Sequence, residues 1–144
     1  SESRILALAR ARALEEGAAD DHGICVSQEE VFAARREVLD VHLAPQVEAY
    51  LLELIQASRK RSRYAESLHS LIAYGASPRG SIALDRCARA AAWLAGRDFV
   101  VPEDIRDIAV DVLQHRILLS YEAEAEGVRP AELVGRLLDA VPVP

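Results

Sequence analysis

The sequence predicts an all-α fold, a small helical bundle of about five or six helices with room for one short strand pair. Two observations carry this. Apolar residues recur at helical spacing over most of the chain, and helix-start and helix-stop residues punctuate the pattern where it breaks. Aromatics make up only 5% of a chain that is 51% hydrophobic, and alanine and leucine dominate, which favours closely approaching helices over a β-sandwich.

Residues Glu2 to Glu16 set Ile5, Leu8 and Ala9 on one face, and Gly17 is the stop. A polar loop follows at Asp20-Asp21-His22-Gly23. Ser27 and Glu30 have capping-box spacing ahead of Val31, Val38 and Leu39. Pro45 opens a helix whose Val47, Leu51, Leu54 and Ile55 should face inward, ending near Ser58. The basic run Arg59-Lys60-Arg61-Ser62-Arg63 breaks the pattern, and Leu68, Leu71 and Ile72 return the chain to the core. After the N-cap Ser77, a helix to Leu94 places Leu84, Cys87, Ala88, Ala91, Leu94 and Ala95 on an inner stripe. Arg79, Ile82, Arg86, Arg89 and Trp93 fall opposite. Gly96 suits the C′ position, and Phe99-Val100-Val101 should be extended ahead of Pro102. Pro102-Glu103-Asp104 starts a helix to about Gln114, with carboxylates at its positive end. Residues Ile117 to Glu126 and Pro130 to Ala140 supply the last helical pieces, and any strand pairing should join Phe99–Val101 to the region of Ile117.

At 144 residues the chain is one domain's worth of sequence. No apolar run approaches the ~18 residues of a membrane span and no signal-peptide pattern opens it, so a soluble cytoplasmic protein is expected. Cys25 and Cys87 form no C-x-x-C pair; they could form one disulfide, but two buried thiols in a reducing compartment are the better reading. His22, His42 and His69 lack metal-ligand spacing, so no metal is assigned. No methionine occurs, position 1 included; start-methionine removal or excision from a longer protein would each account for that.

The residues with the most chemistry are Gly75-Ala76-Ser77-Pro78-Arg79. They set an arginine in the first turn of a helix, beside unpaired N–H groups and the positive end of the dipole. A cation there makes sense when an anion, a phosphate above all, completes the site. Ser77 belongs to the same turn, and Arg86 is a weaker candidate two turns along, where a surface ion pair is the plainer reading. The rest of a phosphate-processing site is missing: Lys60 is the only lysine and follows Arg59, so there is no Walker A. A formal net charge of −6, with only Tyr64 beside the basic run for stacking, argues against a nucleic-acid partner. His115-Arg116 has no accompanying nucleophile and reads as a helix-terminal turn, and Glu122, Glu124 and Glu126 as a solvated acidic face.

Four pieces in order resemble the C-terminal part of MoxR-family AAA+ ATPases: Gly75-Ala76-Ser77-Pro78-Arg79; Gly96-Arg97-Asp98 with Val101-Pro102-Glu103-Asp104-Ile105; His115-Arg116-Ile117; and Val141-Pro142-Val143-Pro144. Ser58-Arg59 stands where Thr-Arg is usual, and Val101 where a threonine cap is common. The resemblance implies a helical lid over residues 1–144, excised from a longer chain whose N-terminal nucleotide-binding core is absent. It implies that Arg79 is the sensor 2 arginine, that ATP with Mg2+ is the cofactor of the full protein, and that the parent is a chaperone-like ATPase. Its implied partners are its own core, neighbouring protomers of a hexameric ring and proteins with von Willebrand factor A domains. Without Walker A and Walker B this piece alone should be inactive and hold no nucleotide tightly. The competing readings are a free-standing helical protein-interaction module and, weakest, a nucleic-acid-binding regulator.

Overall fold

In the computed structural model, residues 25–144 are described. The helix expected over Glu2 to Glu16 and the loop at Asp20 to Gly23 lie outside them. The described elements are α1 (Gln28–Asp40), α2 (Pro45–Ser58), a 3-10 segment (Arg63–Leu71), β1 (Ile72–Tyr74), α3 (Pro78–Leu94), α4 (Pro102–Leu113), β2 (Leu118–Leu119), α5 (Tyr121–Ala125) and α6 (Pro130–Ala140). The fold is thus mostly helical with one short strand pair, as the sequence predicts. Phe32–Pro144 forms one compact unit.

Helix α1 starts with the capping box read from the sequence: Glu30 N–H donates to Ser27 Oγ (3.2 Å) and Ser27 N–H to Glu30 Oε2 (2.7 Å). No side chain of α1 is buried, and Val31 and Leu39 stand exposed. Helix α2 buries Val47, Leu51, Leu54 and Ile55, the four residues its periodicity predicts. Leu68 and Ile72 enter the core as expected.

Helix α3 packs along α4 and against α2, and α4 packs on α6. Its buried row is Gly80, Leu84, Ala88 and Ala92, so the small residues do permit close approach. The expected stripe is nevertheless rotated. Cys87 is exposed, Leu94 is 77% exposed and Ala91 only half-buried. Alanines fit every side of this helix, so the pattern leaves two neighbouring stripes nearly equivalent. Cys25 is exposed too, which overturns the expectation of buried thiols.

Gly96 ends α3 at φ +74°, with Gly96 N–H on the Trp93 carbonyl and Arg97 N–H on the Ala92 carbonyl (both 2.9 Å). These are the two bonds of a Schellman motif. The strand pairing differs from expectation: β2 pairs antiparallel with β1, Leu119 opposite Ile72 and Leu118 opposite Tyr74. Phe99 makes only an isolated parallel bridge to His42. Pro102 begins α4 three residues later and leaves no length for a ladder. The helical piece expected over Ile117 to Glu126 starts later than expected, because Leu118–Leu119 is extended and Ser120 caps α5 by accepting from Ala123 N–H at 3.2 Å.

Candidate functional site

The turn into α3 is held from below by the end of α2. Ser58 is fully buried; its Oγ donates to the Ile55 carbonyl (2.7 Å) and accepts from Ala76 N–H (3.1 Å). Arg59 Nε donates to the Ala76 carbonyl at 2.6 Å. Gly75 lies so close to this helix end that a Cβ would stand 2.2 Å from the Ser58 carbonyl oxygen. Close approach, rather than an unusual φ, is why glycine is required there. Gly80 is buried in the first turn of α3, its Cβ position 3.1 Å from the Ala76 methyl.

From this base α3 projects its first turn outward. Ser77 is the N-cap residue, with extended backbone (φ −70°, ψ 171°), and Pro78 occupies the first turn. The Ser77 hydroxyl caps no helix N–H, so the residue holds the expected position without making the expected side-chain bond. Arg79 is exposed, and so are Ile82 and Arg86 on the same side. Seven residues separate the two arginines, about 10 Å along the axis at 1.5 Å per residue.

Charge distribution sets this helix end apart. Four described helices open with proline; α2, α4 and α6 place Glu48, Glu103 with Asp104, and Glu132 in their first turns. Such carboxylates stabilise the positive end of the dipole. Helix α3 has no acidic residue in its first turn and presents Arg79 instead. The ion pairs among the described residues engage Arg89, Arg97, Arg106 and Arg136. The ion pair considered for Arg86 forms instead at Arg89, with Asp85 at 2.9 Å.

At the far end of α3, the loop 95–101 is fixed by a pair the sequence showed only as separate motif pieces. Arg97 grips Asp104 with both terminal nitrogens, Nη1 to Oδ2 at 2.8 Å. Asp104 Oδ2 also accepts Val101 N–H at 2.8 Å. Valine offers no acceptor in return, so only half of a capping box forms. The Arg97 guanidinium and the Val101 N–H hold the Asp104 carboxyl below its ordinary pKa despite its burial. Trp93 is half-buried, its Nε1–H donating to Glu37 Oε2 at 2.9 Å, and lines an open hollow of about 400 Å3 with Asp40 and Asp98. That hollow lies about four turns along α3 from Arg79, so the structure does not bring the two together.

The remaining candidates have structural surroundings. Arg63 donates to the Tyr64 hydroxyl and lies over its ring. Lys60 adopts φ +61° at the turn after α2. Arg116 Nη1 donates to the Val112 carbonyl at 3.2 Å, the helix-terminal contact expected for it, and Glu122, Glu124 and Glu126 are exposed. Among the described residues no three His, Cys, Asp or Glu side chains converge as a metal site, and no helix is long and apolar enough to cross a membrane. The resemblance marks Ser58-Arg59, but their clamp on Ala76 escaped sequence reasoning because the partners lie 17 and 18 residues apart.

Comparison with known proteins adds a family to this geometry. Residues 64–137 match the model of the AAA lid domain. The chain is 36% identical over 119 residues to the protein YeaC of Bacillus subtilis (strain 168), covering 83% of this chain and 35% of that protein. It is 36% identical over 96 residues to Chaperone MoxR1 of Mycobacterium tuberculosis (66% and 26% covered), and 39% over 110 residues to Protein MoxR of Paracoccus denitrificans (72% and 32%). A crystal structure of a candidate ATPase from Cytophaga hutchinsonii superposes with a TM-score of 0.78 at 42% identity, over 83% of this chain and 36% of that one. The chain therefore spans only about a quarter to a third of the length of these relatives.

Proposed function

Since the chain belongs to the AAA lid domain family and is a MoxR-type AAA+ lid, we propose that it closes over ATP held by a preceding nucleotide-binding core and supplies Arg79 as the sensor 2 arginine. One observation carries this reading: α3 alone among the proline-opened helices lacks a first-turn carboxylate and exposes an arginine there. An anionic ligand relieves both conditions, and the residues present fit a terminal phosphate.

When bound, the nucleotide supplies the phosphate chain that the lid reads, and Mg2+ belongs with the core; no residue of this chain is assigned to the metal. The Arg79 guanidinium orients on the terminal phosphate through a charge-assisted, forked contact worth ~1.5–3 kcal/mol. Ser77 contributes its uncapped hydroxyl, and Arg86 lies further along the same face as a secondary contact. Because Arg79 meets the terminal phosphate only before hydrolysis, the contact differs between the two nucleotide states. A difference of a few kcal/mol is enough to move the lid between two positions. On its own the chain, without Walker A or Walker B, neither turns over ATP nor holds it tightly.

At the level of the whole protein we place this lid in a cytoplasmic, chaperone-like maturation ATPase working as a hexameric ring. Its contacts would be its own core, neighbouring protomers and client proteins with von Willebrand factor A domains. The name Chaperone MoxR1, carried by one relative, supports the chaperone-like part. The test is ATP turnover by the full-length protein with Arg79 or Arg86 replaced.

A further inference from the structure

We infer that Ser58 and Arg59 are positioning residues for Arg79: they fix the backbone from which α3 starts and thereby set where its first-turn guanidinium meets the nucleotide. This rests on the nucleotide reading of Arg79 given above.

Both backbone polar groups of Ala76 are taken by two consecutive side chains of another element, the N–H by Ser58 Oγ and the carbonyl by Arg59 Nε. Ser58 is itself locked, since its hydroxyl proton goes to the Ile55 carbonyl one turn back in α2. Gly75 rests against the Ser58 carbonyl at a separation no side chain could enter. Ala76 is 1% exposed, and the first turn of α3 sits on its methyl group through Gly80. The chain is thus pinned at positions 75, 76 and 80, on both sides of the exposed Arg79. Ser58 and Arg59 make no hydrogen bond to Arg79, and Arg59 spends its Nε on the backbone. Their influence on a ligand at Arg79 therefore passes through the start of α3. Displacement of a contacting group by about 1 Å can lower a rate by up to ~100-fold.

Residues that act through Arg79 differ measurably from residues that only support the fold. In the full-length ATPase, Ser58→Ala and Arg59→Gln should each lower ATP turnover roughly tenfold at a temperature well below the unfolding midpoint. Ser58→Thr, which keeps the hydroxyl, should recover most of it. Combined with Arg79→Ala, neither change should lower turnover further, because the group they position is gone. Should Ser58→Ala fail to fold, Arg59→Gln carries the test, its side chain being only partly buried. The same fold-loss with and without Arg79 would show a purely structural role and overturn the inference, and so would undiminished turnover in both single variants. Full turnover in Arg79→Ala alone would instead remove the nucleotide reading, and this inference with it.

Discussion

The Arg97 guanidinium lies fork-on against the Asp104 carboxylate, closing the loop between α3 and α4 from residues seven positions apart. Asp104 is 7% exposed and caps the Val101 N–H as well, so one carboxylate joins the end of one helix to the start of the next. Asp104→Asn keeps the shape and loses the charge. It should cost about 1–2 kcal/mol, reduced from the ~1.5–3 kcal/mol of a charged hydrogen bond because the Arg97 end reaches solvent. Urea unfolding at pH 7 reads this directly.

The same pair sets an acid limit. The folded Asp104 carboxyl has a lowered pKa, first through Arg97 and then through Val101 N–H, against the opposing effect of burial. Its contribution to stability is complete above the unfolded carboxyl value, about 3.9, and disappears as pH falls through the lower folded value. The Arg97 shift is upward from an already high value and adds no pH dependence in the acid range. The gap in urea midpoint between wild type and Asp104→Asn should be constant above about pH 5, begin to narrow near about pH 4 and vanish only below the lowered folded pKa.

Two glycine substitutions should act in opposite directions. At Gly75 a Cβ would meet the Ser58 carbonyl oxygen at 2.2 Å, a backbone atom that cannot swing aside, so Gly75→Ala should destabilise by about 2–4 kcal/mol. At Gly135, inside α6, a Cβ meets nothing within 4 Å. Gly135→Ala should therefore stabilise by about 0.4–1 kcal/mol through helix propensity and a less free unfolded chain. Thermal midpoints of the two variants measured side by side check both signs.

Both thiols should react in the native state. Cys25 and Cys87 are exposed, so a thiol reagent should modify both at the same extent with and without denaturant. Protection of Cys87 until unfolding would restore the inner stripe read from the sequence.

What the sequence disclosed follows from where the information is local. Val47, Leu51, Leu54 and Ile55 were readable because large apolar side chains leave one face to bury. The α3 start was readable because Ser77, Pro78 and Gly96 each have a positional chemistry. The centre of the α3 stripe was not legible because Ala88, Ala91, Ala92 and Ala95 spread over roughly a third of the helix circumference and are equally small, so none of them marks the middle of the buried face. The partner of β1 was not legible, since strands of three and two residues are too short to alternate. At the site, Arg79 and Ser77 could be located from their own neighbours. The side chains that hold Ala76, and the pairing of Arg97 with Asp104, appear only once the helices are packed.

ATP turnover by the full-length protein carrying Arg79→Ala, compared with Arg79→Lys, Arg86→Ala and wild type, tests the central claim most directly. Arg79 is exposed, so its replacement should change the stability of this domain by no more than about 0.5 kcal/mol. Loss of a charge-assisted phosphate contact of ~1.5–3 kcal/mol should lower turnover or ATP affinity roughly ten- to a hundred-fold. Arg79→Lys should recover only part, because an ammonium keeps the charge and loses the planar fork. Wild-type turnover and affinity in Arg79→Ala would contradict the account, and a larger defect in Arg86→Ala would move the contact along α3.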